Sequence, residues 1–173
     1  MRTCFFAAAV TLASGSSCLA MTVTSHDFSN GGRFPQVDYN RGCGGKDVSP
    51  QLSWSGAPKA AKSLALTMID QDVKPSKWSH WVVVDLPLRA TALTRGVIGL
   101  PAPGTALQTN MGPASYSGPC PPVGSGVHHY EITVWALPAA KTAIPAGAKA
   151  NAIEDQLRGV ALDHATITGT AQR

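Results

Sequence analysis

Short segments of apolar or alternating residues recur along the chain between clusters of Gly, Pro, Ser and Asn. Their short length and their β-branched and aromatic side chains are typical of strands rather than helices. The segments predicted to be strands are residues 22–25, 51–54, 63–69, 81–86, 130–137 and 165–170. We therefore expect a mainly β fold.

One segment near the C-terminus has helical periodicity instead. Ile153, Leu157 and Val160 lie at helical spacing within residues 151–162. Asn151 precedes Glu154 by three residues, which is the arrangement of a capping box with Asn151 as the N-cap. We predict a short amphipathic helix packed on the sheet, followed by a last strand near Ile167.

Two predicted strands place polar residues in line with apolar ones. Because strand side chains alternate between faces, the row Leu64, Leu66 and Met68 continues to Asp70. If the next strand is already extended at Trp78, its faces are predicted as follows: one carries Trp78, His80, Val82 and Val84, and the other carries Ser79, Trp81, Val83 and Asp85.

A third segment repeats this arrangement, with His128 and Tyr130 on the face of Ile132 and Val134. If the three strand ends meet, they form a small pocket with an apolar floor and a polar mouth. Its predicted members are Asp70, His80, His128 and Tyr130, with Trp78 as a wall. Hydrogen bonds donated by an imidazole N–H to Asp would hold the other imidazole N–H groups toward a ligand, and such a site suits an anion such as phosphate.

The alternative explanation is structural. A single histidine on an apolar face is often a hydrogen-bonded core residue rather than a ligand-binding one. Parity alone does not show that the three strand ends converge.

The composition fits one globular domain. The chain has 173 residues, of which 44% are hydrophobic and 14% charged, and its 17 Gly and 13 Pro indicate many turns. The basic residues are scattered singly, so we expect no nucleic-acid partner.

The first twenty residues have the layout of a secretory signal, with Arg2, an apolar stretch over residues 5–13 and small residues up to Ala20. We predict that residues 1–20 are removed and that residues 21–173 form a single periplasmic or secreted domain without a transmembrane segment. Loss of Arg2 leaves 13 basic against 10 acidic residues and lowers the formal charge from +4 to +3. A lipid anchor at Cys18 is the alternative, but Gly15 stands where a lipobox has a bulky aliphatic residue.

The predicted mature chain keeps two cysteines, Cys43 and Cys120. An even number in an exported protein indicates one disulfide, and two unpaired thiols are the alternative.

Catalytic and metal motifs are weaker. Asp70, His80 and His128 are residue types that zinc binds, but no H-E-x-x-H or compact His spacing accompanies them. The sequence has no G-x-S-x-G elbow, and GSG at 124–126 is interpreted as a turn before a strand. We expect no metal, no cofactor and no enzymatic activity.

The segments SPQLSW (49–54), SLALTMIDQD (63–72), WSHWVVVDLP (78–87) and YSGPCPPVGSGVHHYEITVWAL (116–137) resemble one family. In this order they are similar to the bacterial branch of the phosphatidylethanolamine-binding, or Raf-kinase-inhibitor-like, proteins. The resemblance covers nearly all of the predicted mature chain and implies a large antiparallel sheet packed on a smaller sheet, with a helix near the C-terminus.

The resemblance also implies a pocket for phosphate or a phospholipid head group. Carried over by motif, it consists of Asp70, His80, His128 and Tyr130, the backbone around Cys120 and Pro121, and Trp78 as lining. The chain departs from the family at Gln71, where the family usually has proline, and this leaves the placement of Asp72 open.

Three functions follow as hypotheses. The first is an exported binder of a phosphate-bearing small molecule or lipid head group, with a regulatory or inhibitory role on a target protein. The alternative is a protease or kinase inhibitor that acts through the loop over residues 100–126. The third is a hydrolase that uses a His and Asp pair as general base, for which the sequence offers no activated nucleophile.

Overall fold

The computed structural model describes residues 20–145 and 148–173. The predicted secretory signal, apart from Ala20, lies outside the described residues. The strands are β1 (Thr22–Thr24), β2 (Leu52–Ser55), β3 (Ser63–Asp70), β4 (Trp78–Leu86), β5 (Ala92–Leu93), β6 (Thr105–Ala106), β7 (His128–Leu137) and β8 (Asp163–Ala171). The α-helix is α1 (Ala150–Val160), and Gln36–Asp38 and Arg41–Cys43 form short 3-10 helices.

The strands form two antiparallel sheets. The smaller sheet has the order β1-β2-β5 and the larger sheet the order β6-β4-β3-β7-β8. Leu52 and Trp54 of the smaller sheet join Leu66, Met68 and other residues of the larger sheet in one buried core. This architecture confirms the predicted fold class. Strands β5 and β6 were not predicted, because two residues are too few to show an alternating pattern.

Helix α1 packs on the outer face of the larger sheet. Ile153 and Leu157 are buried there together with Val82, Val84 and other β-strand residues. The prediction that Val160 belongs to this buried row was wrong, since it lies at the last helical position and is 51% exposed. The buried row consists instead of Ala150, Ile153 and Leu157, so it begins about one helical turn earlier than predicted.

The predicted N-cap of this helix was also wrong. The N-cap residue is Lys149, which makes no side-chain capping bond, and Asn151 lies inside the helix. Glu154 cannot serve in a capping box because its carboxylate is buried against the loop after β3, where it pairs with Lys77.

Strand β4 contains a bulge that strand parity could not anticipate. Ile69 pairs with Ser79 and the adjacent Met68 pairs with Trp81, so His80 is the extra residue. After this bulge the alternation is reversed. Trp81, predicted to face away from His80, lies in the core between the sheets. Val82 and Val84, predicted to share the face of His80, pack against α1 instead.

Across the described ranges, no helix combines the length and the apolar character that crossing a membrane would require.

Candidate functional site

Strand register brings the three polar strand ends together. Asp70, the last residue of β3, pairs with Trp78 of β4 on one side and with Tyr130 of β7 on the other. His128 begins β7 two residues before Tyr130, so both side chains lie on the same face. The convergence that parity left open is therefore produced by β3 lying between β4 and β7.

A cavity of about 290 Å³ lies at these strand ends. We call it the Asp70 cavity. It is lined by Asp70, Val73, Trp78, His80, Met111, Cys120, Pro121, Pro122 and His128. Six of the seven predicted ligand-binding residues thus lie around one space. The seventh, Tyr130, is absent from the lining, but its ring contacts those of His80 and His128 at centroid distances of 5.1 and 6.5 Å.

Asp70 and His128 form a buried pair. The Nδ1 of His128 lies 2.8 Å from Oδ2 of Asp70, and because a carboxylate only accepts, Nδ1 is the donor. The other oxygen of Asp70 accepts the backbone N–H of Asp72 at 2.9 Å. The remaining ring nitrogen of His128, Nε2, lies 3.0 Å from the hydroxyl of Ser125. These contacts fix the orientation of the imidazole at both nitrogens.

His80 is held differently, because its partner is a backbone carbonyl. Its Nδ1 donates to the carbonyl oxygen of Ser117 at 3.0 Å, and the residue is 3% exposed. Burial lowers the pKa of His80, and the hydrogen bond to Ser117 and the negative charge of Asp70 oppose this shift only in part. His80 is therefore neutral near pH 7, with the unprotonated nitrogen at Nε2.

Tyr130 brings a buried hydroxyl to the same cluster. Tyr130 is fully buried, and its hydroxyl lies near the carboxylate of Asp70 and the backbone of Cys120, but it meets hydrogen-bond geometry with no group in residues 20–145 and 148–173. Burial, and after it the charge of Asp70, raise the pKa of Tyr130 far above its usual value. The hydroxyl thus keeps its proton at every physiological pH and remains a hydrogen-bond donor.

The Cys120 wall of the cavity is fixed by the segment that contains the 3-10 helices. Gly118 passes so close to this segment that any side chain on it would overlap the backbone carbonyl of Asp38. Asp47 accepts the backbone N–H of Gly118 at 2.9 Å. Cys120 is bonded to Cys43 in a disulfide, with their Cα atoms 5.5 Å apart. This is the disulfide that the even number of cysteines predicted.

The loop between β3 and β4 is tied to its surroundings on both sides. The backbone N–H of Gln71 donates to the carbonyl of His129 at 3.0 Å, a bond that a proline at this position could not make. Asp72 accepts the backbone N–H and the ring Nδ1 of His129. Burial tends to raise the pKa of Asp72, but these hydrogen bonds from His129 prevail and lower it.

On the other side, this loop contacts helix α1. The ammonium group of Lys77 and the side-chain amide of Gln71 both bind the carboxylate of Glu154, which is 5% exposed. The helix therefore braces the loop that carries Val73 to the cavity.

Sequence reasoning missed four contributors to the site. Val73 and Pro122 line the cavity from loops whose residues show no periodicity. Met111 reaches it from the long loop and accepts a hydrogen bond from Trp78 Nε1 at 3.1 Å. Ser125 belongs to the GSG segment, and only its spacing of three residues from His128 could have signalled their contact. Among the described residues, no group of three or more His, Cys, Asp or Glu side chains is arranged to hold a metal ion.

Comparison with known proteins gives a consistent result. The family model described as "Phosphatidylethanolamine-binding protein" matches residues 24–172. A UPF0098 protein of Aquifex aeolicus is 36% identical over 155 residues, covering 88% of this chain and 89% of that protein. The lipoprotein candidate LppC of Mycobacterium tuberculosis is 33% identical over 150 residues, covering 87% of this chain and 71% of LppC.

A solved structure shows the same architecture. The crystal structure of Escherichia coli YbcL, described as a new member of the mammalian PEBP family, superposes with a TM-score of 0.82 at 31% identity. The superposition covers 90% of this chain and 99% of the YbcL chain.

Proposed function

Because the chain belongs to the phosphatidylethanolamine-binding protein family, we propose that its Asp70 cavity binds a phosphate group. The phosphate is either free or carried on a small molecule or phospholipid head group. This proposal goes beyond family membership because it names the ligand group, phosphate, and the cavity that binds it.

The observation that carries the proposal is the unpaired hydroxyl of Tyr130 within the described ranges. A buried polar group without a partner costs roughly 1–3 kcal/mol, and most such groups in folded proteins find one. The hydroxyl is near Asp70 and Cys120, which both line the Asp70 cavity, and it keeps its proton because its pKa is raised. A phosphate oxygen is the kind of strong acceptor that would satisfy it.

His80 adds a second donor once it takes up a proton. Its Nδ1 is committed to Ser117, so the proton would be taken up at Nε2. An anion in the cavity stabilises the imidazolium electrostatically, which opposes the effect of burial. Binding and protonation of His80 are therefore coupled.

The size and the walls of the cavity restrict the ligand. A volume of about 290 Å³ holds a head group but not an acyl chain as well. Trp78 and Met111 offer apolar surface for the methylene groups of such a head group. Phosphoethanolamine and inorganic phosphate both carry the phosphate group, but only phosphoethanolamine has methylene groups that can contact this apolar surface.

Titration calorimetry with phosphoethanolamine and with inorganic phosphate tests the proposal. We expect binding by the unaltered protein and a loss of affinity of about tenfold in Tyr130→Phe, which removes one hydrogen bond to a charged group. Tyr116→Phe is the matched control, since the Tyr116 hydroxyl is buried too but donates to the carbonyl of Asp38. Equal affinities in the unaltered protein and in Tyr130→Phe would rule out the proposed role of the hydroxyl.

We also propose that the protein is exported. The predicted secretory signal, the disulfide between Cys43 and Cys120 and the similarity to a lipoprotein candidate support this location. Mass spectrometry of the protein recovered from cells distinguishes cleavage after Ala20 from lipidation at Cys18. Recovery of the uncleaved, reduced chain from the cytoplasm would contradict export.

A further inference from the structure

A continuous series of hydrogen bonds links a serine, a histidine and an aspartate at the edge of the Asp70 cavity. The hydroxyl of Ser125 lies 3.0 Å from His128 Nε2, and His128 Nδ1 donates to Asp70 at 2.8 Å. Asp70 is 2% exposed, whereas Ser125 is exposed. In neutral His128 the proton on Nδ1 leaves Nε2 as an acceptor that faces the serine hydroxyl. These roles are those of orienting acid, general base and nucleophile in serine hydrolases.

We propose that Ser125, His128 and Asp70 form a catalytic triad that hydrolyses carboxylic esters. The hydrolysis needs no anion in the cavity, but its substrate would enter the same cavity that we propose for phosphate.

The turn around Ser125 presents the hydroxyl to an approaching substrate. Gly124 and Gly126 have φ angles of 80° and 89°, and no atom lies within 4 Å of where a side chain would begin on either residue. The backbone N–H of Ser125 donates to the carbonyl of Pro122 at 3.1 Å, and that of Gly124 to the carbonyl of Arg173 at 3.1 Å. The nucleophile is thus held in a tight turn with open space on both sides.

The N–H of Gly126 is suited to bind the oxyanion. It follows the nucleophile directly, which is the position of one oxyanion donor in α/β-hydrolases. It donates to no backbone or side-chain acceptor in the part of the chain that the structure describes.

The cavity beside the triad indicates the substrate class. His128 lines the Asp70 cavity, and its other walls include the apolar side chains of Val73, Trp78, Met111 and Pro122. The cavity volume of about 290 Å³ leaves room for roughly one small apolar group. The cavity therefore favours esters of short-chain acids over long-chain lipids.

The reaction needs only the ester and water. Ser125 Oγ attacks the ester carbonyl carbon while its proton moves to His128 Nε2, and the resulting oxyanion accepts a hydrogen bond from Gly126. Collapse of this intermediate breaks the ester C–O bond, and the departing alkoxide takes the proton from Nε2 and leaves as the alcohol. Water then attacks the acyl-serine with the same proton transfers, which releases the carboxylic acid and restores Ser125.

The Ser125 hydroxyl has a second hydrogen-bond acceptor that competes with His128. Ser125 Oγ also lies 2.8 Å from the carbonyl oxygen of Pro122. A hydroxyl has one proton, so Ser125 is activated only when it donates to His128 Nε2 rather than to Pro122.

The test measures hydrolysis of para-nitrophenyl butyrate by the full chain and labelling by a fluorophosphonate, whose fluoride an activated serine displaces. We expect turnover of the ester, and a fluorophosphonate adduct on Ser125 by peptide mass mapping. Ser125→Ala should lower turnover by about 100-fold or more and abolish labelling. The matched control Ser115→Ala, another exposed serine, should retain both.

Three results would overturn the inference. These are hydrolysis by Ser125→Ala at the rate of the unaltered protein, an adduct that maps to another residue, and absence of both turnover and labelling in the unaltered protein. If Ser125→Ala hydrolyses the ester at the unaltered rate, the nitrophenol is released by other surface nucleophiles and not by Ser125.

Discussion

The two histidines of the Asp70 cavity differ in what their ring nitrogens contact, and this sets what each can do. His128 is engaged at both nitrogens, by Asp70 and by Ser125. His80 is engaged at Nδ1 by Ser117. His80 is thus the imidazole that can gain a proton at Nε2 when an anion binds, whereas His128 is oriented for proton transfer with Ser125.

The first prediction concerns the pH dependence of anion binding. Burial keeps the pKa of His80 below its usual value of 6.5 in the free protein, and a bound anion raises it, so binding takes up a proton. Affinity should therefore increase as the pH falls from about 7.5 to 5.5, by up to about tenfold for each pH unit below the pKa of the complex. Sulfate is the appropriate probe in calorimetry, because its own charge is constant over this range.

The matched variant is His80→Gln, which keeps a polar side chain but cannot become charged. It should bind sulfate more weakly and with little dependence on pH. An equal pH dependence in both proteins would assign the proton uptake to another group.

The second prediction concerns Asp38, a fully buried carboxyl near the base of the Cys120 wall. One of its oxygens lies 2.7 Å from Arg95, and the other has no hydrogen-bond partner among the described residues. Burial raises its pKa to about 6; Arg95 opposes this shift and Asp27 adds to it. Between pH 6 and 3.8 the folded protein therefore binds more protons at this site than the unfolded chain does.

This difference makes the folded state more stable as the pH falls, by about 1 kcal/mol between pH 7 and 5. Asp38→Asn cannot titrate, so the gain should be missing from its unfolding free energy. Urea unfolding of both proteins at the two pH values gives the comparison. Parallel pH dependence in the two proteins would contradict the raised pKa of Asp38.

At the scale of elements, the long strands could be predicted because each carries several alternating residues. The bulge at His80 could not, since it depends on the pairing of β4 with β3. The helix was found from Ile153 and Leu157, but its start was misassigned because Glu154 binds Lys77 across the molecule rather than its own N-terminus. Local patterns thus identified the longer elements, and long-range contacts set their ends and faces.

The third prediction concerns the loop between β3 and β4. Gln71→Pro removes the backbone N–H that binds the carbonyl of His129, and should lower the unfolding free energy by about 1 kcal/mol. Gln71→Ala is the control, because it keeps this N–H and loses only the two weak side-chain bonds. Denaturant unfolding should rank the proline variant below the alanine variant. The reverse order would mean that the stiffness of proline outweighs the lost bond.

At the scale of the whole molecule, one covalent bond joins the 3-10 segment to the cavity. Cys43 and Cys120 are 77 residues apart in sequence, and Cys120 lines the Asp70 cavity. The motifs shared with the family were specific enough to identify six lining residues from the amino-acid sequence. They did not identify Met111 or Ser125, because the loops that hold these residues have no regular pattern and are placed by contacts with Trp78 and His128.

The fourth prediction follows from the length of the loop that this disulfide closes. Replacing both cysteines by serine should lower the unfolding free energy by about 4 kcal/mol, chiefly because the unfolded chain regains conformational freedom. The same variant should bind phosphate more weakly, since the Cys120 wall is no longer fixed. Denaturant unfolding measures the first effect and calorimetry the second. An unchanged unfolding free energy would show that the bond does not constrain the chain.

The most direct measurement of the central claim is a crystal structure of the protein with phosphoethanolamine. The account predicts the phosphate in the Asp70 cavity, within hydrogen-bond distance of the Tyr130 hydroxyl and His80 Nε2, with the ethanolamine carbons against Trp78. A phosphate bound elsewhere on the surface, or an empty cavity at saturating ligand, would contradict it.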